Sequence, residues 1–429
     1  MAMCMSIQEV HDLLDNISTL IGGFLYDKAK ESLEREREAT KLSPVTSWNV
    51  LVNGLIQLSL AEKSYMSLMF LAHKSFLRKD SSARVCYEAL SLEYQRVADG
   101  LTDSTLDLCL LRAYRQLLHF VRGRLTLLEF YEKLWLVGSG KMRGVSELTE
   151  QLENFASDQE ANFDHPHLAA LKAVVRYEVR TLLSMLRTQE QLETWQFLPA
   201  LMSLNEAHTH LNKFSACVQS RETRRLLFRR ASQEPELIQW LQRLRAALVA
   251  TFSLYFREVL SAQSSGSEFK ALCAKTAADH FARLQSFQRK MDAALVALAF
   301  DGTEEAVRGG LGYRHPEQRV PPAGQHPKPY PAVLCCSKSD VQAALWPEVV
   351  AALAEPKLEL SSSRVSHAWL GPSAAQSAFF LAISDCLTLV VVFDGRRSEK
   401  DSYVTSFMLE TAAALRCIKI YHSLRPGAK

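Results

Sequence analysis

The chain has 429 residues, of which 48% are hydrophobic and 23% charged, and its formal net charge is +3. That supplies apolar material for two packed domains and excludes a disordered chain. The small positive excess also argues against a dedicated nucleic-acid binder, which carries a clear basic surplus.

Met1 to Gln8 lacks the charged-then-apolar layout of a signal peptide. The nine cysteines (4, 86, 109, 217, 273, 335, 336, 386 and 417) are odd in number and form no Cys-x-x-Cys. Such usage fits buried thiols in a reducing compartment, so a cytosolic chain is expected. The longest apolar run, Ala293 to Phe300, falls far short of the ~20 residues that cross a bilayer.

Residues 1–275 read as a mainly α, antiparallel helical bundle. Helices are expected near 6–40, 45–78, 82–98, 104–137, 145–160, 166–193, 197–230, 236–262 and 277–292. Ser43-Pro44 and Asp164-His165-Pro166 are helix-start signals, and Gly100 and Gly138 to Gly140 are stop signals. Three apolar stripes run at steps of three and four: Leu106, Leu110, Tyr114, Leu117, Val121, Leu125, Leu128; Leu168, Leu171, Val175, Val179, Leu182, Leu186; and Leu237, Leu241, Leu244, Leu248, Phe252, Tyr255, Val259. Burying such a stripe gains on the order of 10–20 kcal/mol. Ordering the helix backbone costs about 1–2 kcal/mol per residue, so no helix here stands alone. They must pack on one another.

The helical texture ends between Asp301 and Pro331, in a loop with five glycines and six prolines. Residues 276–429 read as a small α/β domain with an antiparallel sheet. Strands are expected at 294–300, 331–336, 377–383 and 386–393, the last two flanking a Ser384-Asp385 turn, with a short helix at 340–346. Weaker apolar runs lie at 348–354 and 364–370, and Ser398-x-x-Asp401 opens a final helix to about Arg416. Helix, two strands, helix, three strands, helix is the element order shared by roadblock, longin and profilin-like domains. Fold likeness alone carries no function.

No motif points to catalysis. Gly138-Ser139-Gly140-Lys141 lacks the first glycine and the Ser/Thr of a phosphate loop and follows a helix, so it reads as a helix-ending turn. Gly309-Gly310-Leu311-Gly312 misses the dinucleotide spacing. His165-Pro166-His167, His208-Thr209-His210 and the set His315, His326, Cys335 and Cys336 lack metal-ligand spacing, so no metal and no cofactor are expected. No Gly-x-Ser-x-Gly elbow occurs.

Two stretches are candidate interaction sites. Trp195, Phe197 and Pro199 sit in an aromatic segment broken by proline, which reads as core packing at a helix break or as a partner-facing apolar patch. Arg221, Arg224 and Arg225, with Arg229 and Arg230, give one basic helix face. It suits solvent, an acidic partner or anionic lipid; nucleic acid is disfavoured because no aromatics interleave with the arginines.

Several segments together resemble the helical-subunit family of the KICSTOR complex. They are Tyr26-Asp27-Lys28-Ala29-Lys30, Glu36-Arg37-Glu38-Ala39, Ala61-Glu62-Lys63-Ser64-Tyr65, Phe130-Tyr131-Glu132-Lys133, Trp195-x-Phe197-Leu198-Pro199 and Ala207-His208-Thr209. Arg221-Glu222-Thr223, Ser253-x-Tyr255-Phe256, Gly312-Tyr313-x-His315-Pro316, Tyr330-Pro331-Ala332-Val333, Trp346-Pro347 and the stretch from Ser398 through Ser423-Leu424-Arg425-Pro426-Gly427-Ala428-Lys429 continue the series. Met1 to Gly22, 139–163 and 351–378 depart from the family pattern, so the chain reads as a diverged homologue. The resemblance implies a non-enzymatic adaptor whose partners are kaptin, an FG-GAP-repeat subunit and a very large scaffold subunit. It further implies recruitment of the GATOR-type GTPase-activating complex to the lysosomal surface. The chain would be cytoplasmic and meet the membrane only through its complex. The output would be restraint of mTOR complex 1 when amino acids or glucose run short. Direct regulation of a small GTPase by the C-terminal module is the alternative.

Overall fold

In the computed structural model, α1 (Ile7–Gly22) starts at Ser6, whose hydroxyl accepts the Glu9 N–H at 3.2 Å while the Glu9 carboxylate accepts the Ser6 N–H at 2.7 Å. This reciprocal cap satisfies two N–H groups that a helix start otherwise leaves open. The structure describes residues 6–40, 46–71, 83–101, 104–141, 144–218, 234–257, 265–301, 330–337, 341–355, 359–371 and 375–425. The helices that follow are α2 (Tyr26–Ala39), α3 (Thr46–Met66), α4 (Ala83–Gly100), α5 (Thr105–Gly138), α6 (Ser146–Asn162), α7 (Ala169–Glu193), α8 (Phe197–Val218) and α9 (Glu236–Tyr255).

Three differences from the sequence reading have local causes. The helix expected over 6–40 is two helices, because Gly22-Gly23 is followed by Phe24 at φ 62. The helix expected over 45–78 ends at Met66, with Leu68 at φ 55 leading into a 3-10 turn at Met69–Leu71. A further helix, α10 (Gly266–Ala274), starts from a Ser265/Glu268 capping box that the sequence reading passed over. The second and third apolar stripes are buried at every described position, Val259 lying outside the described residues.

The chain divides into two compact units: Met1–Leu186 with Glu206–Gln242 and Ile420–Lys429, and Arg187–Asn205 with Arg243–Lys419. In the first, α2 packs along α3, α3 and α5 pack on α4, and α6 packs on α5. The end of the chain belongs to this unit. The Trp240 Nε1–H donates to the Ile420 carbonyl at 2.9 Å, and Arg425 Nε donates to the Leu71 carbonyl at 2.8 Å with its guanidinium 4.0 Å over the Trp135 ring. Gly138 makes room for this return: a Cβ there would run into the backbone of Tyr421 and His422.

The second unit holds α11 (His280–Lys290), β1 (Leu295–Phe300), β2 (Ala332–Ser337), α12 (Val341–Leu353), β3 (Ser366–Leu370), β4 (Gln376–Ser384), β5 (Leu387–Asp394) and α13 (Ser402–Leu415). The five strands pair in the order β2-β1-β5-β4-β3, antiparallel throughout. Leu345, Val349 and Leu353 of α12 cover one face, on Leu295, Ala297, Phe380, Val390 and Val392. On the unit's other elements, α11 packs on β1 and β2 and α13 on β4, and Phe287 and Phe407 stack at 3.6 Å between those helices. A strand covered on both faces reads as a continuous apolar run, which is why β1 and β5 show no alternation.

The helix expected over 340–346 runs on to Leu353 and absorbs the apolar run at 348–354, despite Pro347 inside it. The run at 364–370 is β3, and the hairpin turn is Asp385-Cys386, one residue later than expected. Cys417 at φ 58 ends the last long helix, and a short α14 (Ile418–His422) follows. Most of the Gly/Pro loop at 301–331 lies outside the described residues.

The close approach at Gly138 generates a test. Gly138→Ala forces backbone apart and is expected to cost roughly 1–3 kcal/mol or more, read as a lower urea midpoint. An unchanged midpoint would show that the end of the chain does not seat there.

Candidate functional site

In the first unit, four helices each place polar side chains where a bundle core expects apolar ones. On α5 the buried face runs Leu117, Phe120, Val121, Arg124, Leu127, Leu128 and Tyr131, so Arg124 occupies a core position. On α3, Glu62 and Tyr65 lie among Leu58, Ala61 and Met66. Glu178 follows Val174 and Val175 on α7, and Tyr87 comes from α4.

These groups close on one another. Arg124 meets Glu62 in a fork, Nε to Oε1 and Nη2 to Oε2, each at 2.8 Å, and its Nη1 donates to Glu178 Oε2 at 2.6 Å. Tyr65 and Tyr131 hydroxyls donate to Glu178 Oε1 at 2.5 and 3.0 Å, and the Tyr87 hydroxyl donates to Glu62 Oε1 at 2.7 Å. The guanidinium also lies 4.3 Å over the Tyr65 ring. Arg124 and Glu178 are 0% exposed and Glu62 is 1%.

Two carboxylates face one guanidinium, so three phenol O–H dipoles are turned onto the excess negative charge. Burial opposes the charged guanidinium, but Glu62 and Glu178 outweigh it and hold Arg124 well above its ordinary value. Burial, with the neighbouring carboxylates, pushes the Tyr65, Tyr87 and Tyr131 hydroxyls up, so they remain donors. All three guanidinium nitrogens and all three phenols donate to Glu62 or Glu178, and Arg124, Glu62 and Glu178 are shut off from solvent. The cluster specifies how α3, α4, α5 and α7 meet.

In the second unit, Trp195 stands between α7 and α8 at φ 64, a left-handed conformation unusual for a bulky residue. Its ring stacks on Phe300 at 4.8 Å and meets Tyr255 and Phe197 at 5.0 Å. Phe197 continues the cluster to Phe252 and Phe256. Pro199 falls in the first turn of α8, where its missing N–H breaks no helical bond. Beyond this cluster, Leu198, Leu201 and Met202 of the same turns are exposed. The sequence reading singled out Trp195, Phe197 and Pro199 but missed this outward row. Arg221, Arg224, Arg225, Arg229 and Arg230 lie outside the described residues.

The other motifs resolve simply. Gly138 to Lys141 ends α5, with Gly140 at φ 72. No group of three or more His, Cys, Asp or Glu among the described residues is arranged to hold a metal ion. Cys335 is half-buried, with its thiol pushed up to about 11 by burial, while His315 and His326 lie outside the described residues. His167 Nδ1 meets Asp15 Oδ2 at 2.7 Å and stacks on His11, with buried His165 beside it. Among the described residues, no helix is long and apolar enough to cross a membrane.

Residues 5–429 match the family described as "KICSTOR complex C12orf66 like". The chain is 37% identical over 435 residues to KICSTOR subunit 2 of Danio rerio, covering 97% of this chain and 96% of that protein. It is 35% identical over 437 residues to KICSTOR subunit 2 of Xenopus laevis, covering 97% of each.

Two expectations follow. Arg124→Ala leaves two buried carboxylates without their counter-ion and should cost about 3–5 kcal/mol, whereas Tyr65→Phe removes one hydrogen bond to a charged acceptor and should cost about 1.5–3 kcal/mol. Chemical denaturation checks both, and equal losses would contradict the arrangement. The second concerns acid. Burial, with cations and neighbouring imidazoles, pushes His165 down to about 4, and burial with Arg283 does the same to His280. An unfolded imidazole protonates near about 6.5. The unfolded chain therefore binds more protons between these values, so stability is full above the unfolded value and falls as pH drops toward 4. The urea midpoint should decline over that window and decline less in His165→Phe; a flat wild-type profile would rule this out.

Proposed function

Since this chain belongs to the KICSTOR complex C12orf66-like family, we propose that it is a non-enzymatic structural subunit of a KICSTOR-type complex. The observation that carries the reading is the near full-length match to two proteins named as KICSTOR subunits, which spans both compact units. The buried Arg124 cluster is consistent with it, because these charged groups are wholly buried and bonded to one another across the helices. In this reading the subunit assembles with kaptin, the FG-GAP-repeat subunit and the very large scaffold subunit. Together they bring the GATOR-type GTPase-activating complex to the lysosomal surface and restrain mTOR complex 1 during amino-acid or glucose shortage. The chain itself reaches the lysosome through those partners.

A second reading rests on the second unit. That unit has an antiparallel sheet, ordered β2-β1-β5-β4-β3, with α12 on one face and α11 and α13 also packed on it, and the reading takes it as roadblock-, longin- or profilin-like by analogy of element order alone. In that reading the module acts directly on a small GTPase.

Affinity purification of the tagged full chain after gentle lysis separates the two. The first reading expects kaptin, the FG-GAP-repeat subunit and the scaffold subunit together, and microscopy places the tag on lysosomes only while the scaffold is present. Recovery of none of these proteins would overturn it. A changed nucleotide exchange or hydrolysis rate of a Rag-type GTPase with the purified chain alone would favour the second.

A further inference from the structure

The sheet of the second unit ends on one side in β3, which pairs only with β4 among the described residues. Its register is unbroken, from Ser366 opposite Phe380 to Leu370 opposite Gln376. The Ala382 N–H donates to the Ser361 carbonyl at 3.2 Å, so Ala382, Phe380 and Ala378 turn their backbone toward the β3 side of β4. Antiparallel partners alternate between pairs that exchange both backbone bonds and pairs that exchange none. Ser366, Ala368 and Leu370 therefore spend their N–H and C=O groups on β4, and His367 and Trp369 point theirs away from the sheet.

A free edge of this kind invites another strand, and folded proteins blunt it with lysine, proline or a bulge. β3 has none of these. The opposite edge, β2, is interrupted: its register with β1 shifts between Leu298 and Ala299, and Pro331 stands immediately before it. β3 also carries a large exposed ring, Trp369 at 46%.

The side chains of His367 and Trp369 meet at 4.6 Å on the sheet face of Phe379, which His367 touches at 4.9 Å. They lie symmetrically about Ala368, and the charges beside them differ in sign. The Arg396 guanidinium lies 5.6 Å over the Trp369 ring. Glu399 acts on the His367 imidazole, partly offsetting the burial that pushes it down. Arg364 sits in the bend before the strand, outside the paired residues.

We propose that β3 pairs antiparallel with β3 of a second copy of this chain, across a two-fold axis through Ala368. In that register His367 lies opposite Trp369 of the other copy, once on each side of the axis, and each such pair exchanges both backbone bonds. Ala368 faces Ala368 at the axis, in a pair without backbone bonds whose Cα atoms approach to about 4.5 Å. A small side chain suits that approach. The second copy is selected because the edge matches itself when reversed. Ring then faces ring, and Glu399 comes toward Arg396 of the other copy on both sides. Pairing identical edges also closes, since neither copy keeps β3 open. The inference rests on this edge alone and holds whatever complex the chain joins.

Sedimentation equilibrium of the full-length chain under reducing conditions, across the micromolar range, tests it. The mass should rise from 48.3 kDa toward twice that value. His367→Pro deletes an outward N–H and leaves the bonds to β4 in place, so it should remain monomeric. Arg396→Glu should weaken self-association roughly tenfold, the effect of turning two exposed ion pairs into repulsions, and Arg396→Glu/Glu399→Arg should restore it. These charge variants carry the test should the proline disturb folding. Ala368→Cys should link two copies under mild oxidation, while the wild type with its native cysteines stays unlinked. A wild type that stays monomeric overturns the proposal, whether another protein or nothing then fills the edge. So does a dimer indifferent to the proline and to both charge variants, which would place the contact elsewhere.

Discussion

The helical unit depends on one buried ionic contact. A guanidinium taken out of water costs several kcal/mol, and attraction to a carboxylate returns that cost only when geometry is good and the remaining donors are satisfied. Arg124 meets the first through the fork to Glu62 and the single bond to Glu178, which engage all three of its nitrogens. The contribution is less to raw stability than to uniqueness. Apolar stripes on α3, α5 and α7 tolerate sliding by a turn, because leucine against leucine is similar at many offsets. A fork between Arg124 and Glu62 tolerates almost none.

The second unit is organised differently. Its centre is a sheet whose middle strands are apolar on both sides, and its polar ties sit at the edges. Arg416, at the end of α13, donates to the carbonyls of Ile383, Ala382 and Ser362 and so anchors that helix to the end of β4. Trp195 plays a comparable part at the junction of α7 and α8, where a strained backbone is held by three aromatic neighbours. Charge fixes one unit; aromatic packing and backbone carbonyls fix the other.

Much of this was legible in the residues, for identifiable reasons. Apolar spacing located the long helices because only one face of each is buried, and the glycine stops at Gly100 and Gly138 fell where α4 and α5 end. The continuous apolar runs located β1 and β5 because both their faces are covered. The Arg124 cluster was not legible. The stripe on α5 was drawn through Leu125, which is only half-buried, and past Arg124, which is fully buried. A usable signal existed: Arg124 sits three residues after Val121 and four before Leu128, and Glu178 sits just as deep in its own stripe. Pairing them required knowing which helices touch, and spacing within one helix carries no such information.

The separation of these partners along the chain ties distant segments into one cooperative block. Glu62, Arg124 and Glu178 lie on three helices of one compact unit, so withdrawing any one of them leaves a buried ion without its counter-charge. Opening α7 alone would strip Glu178 from Arg124 and from the Tyr65 and Tyr131 hydroxyls at once, which disfavours piecemeal unfolding of the unit relative to opening as a whole.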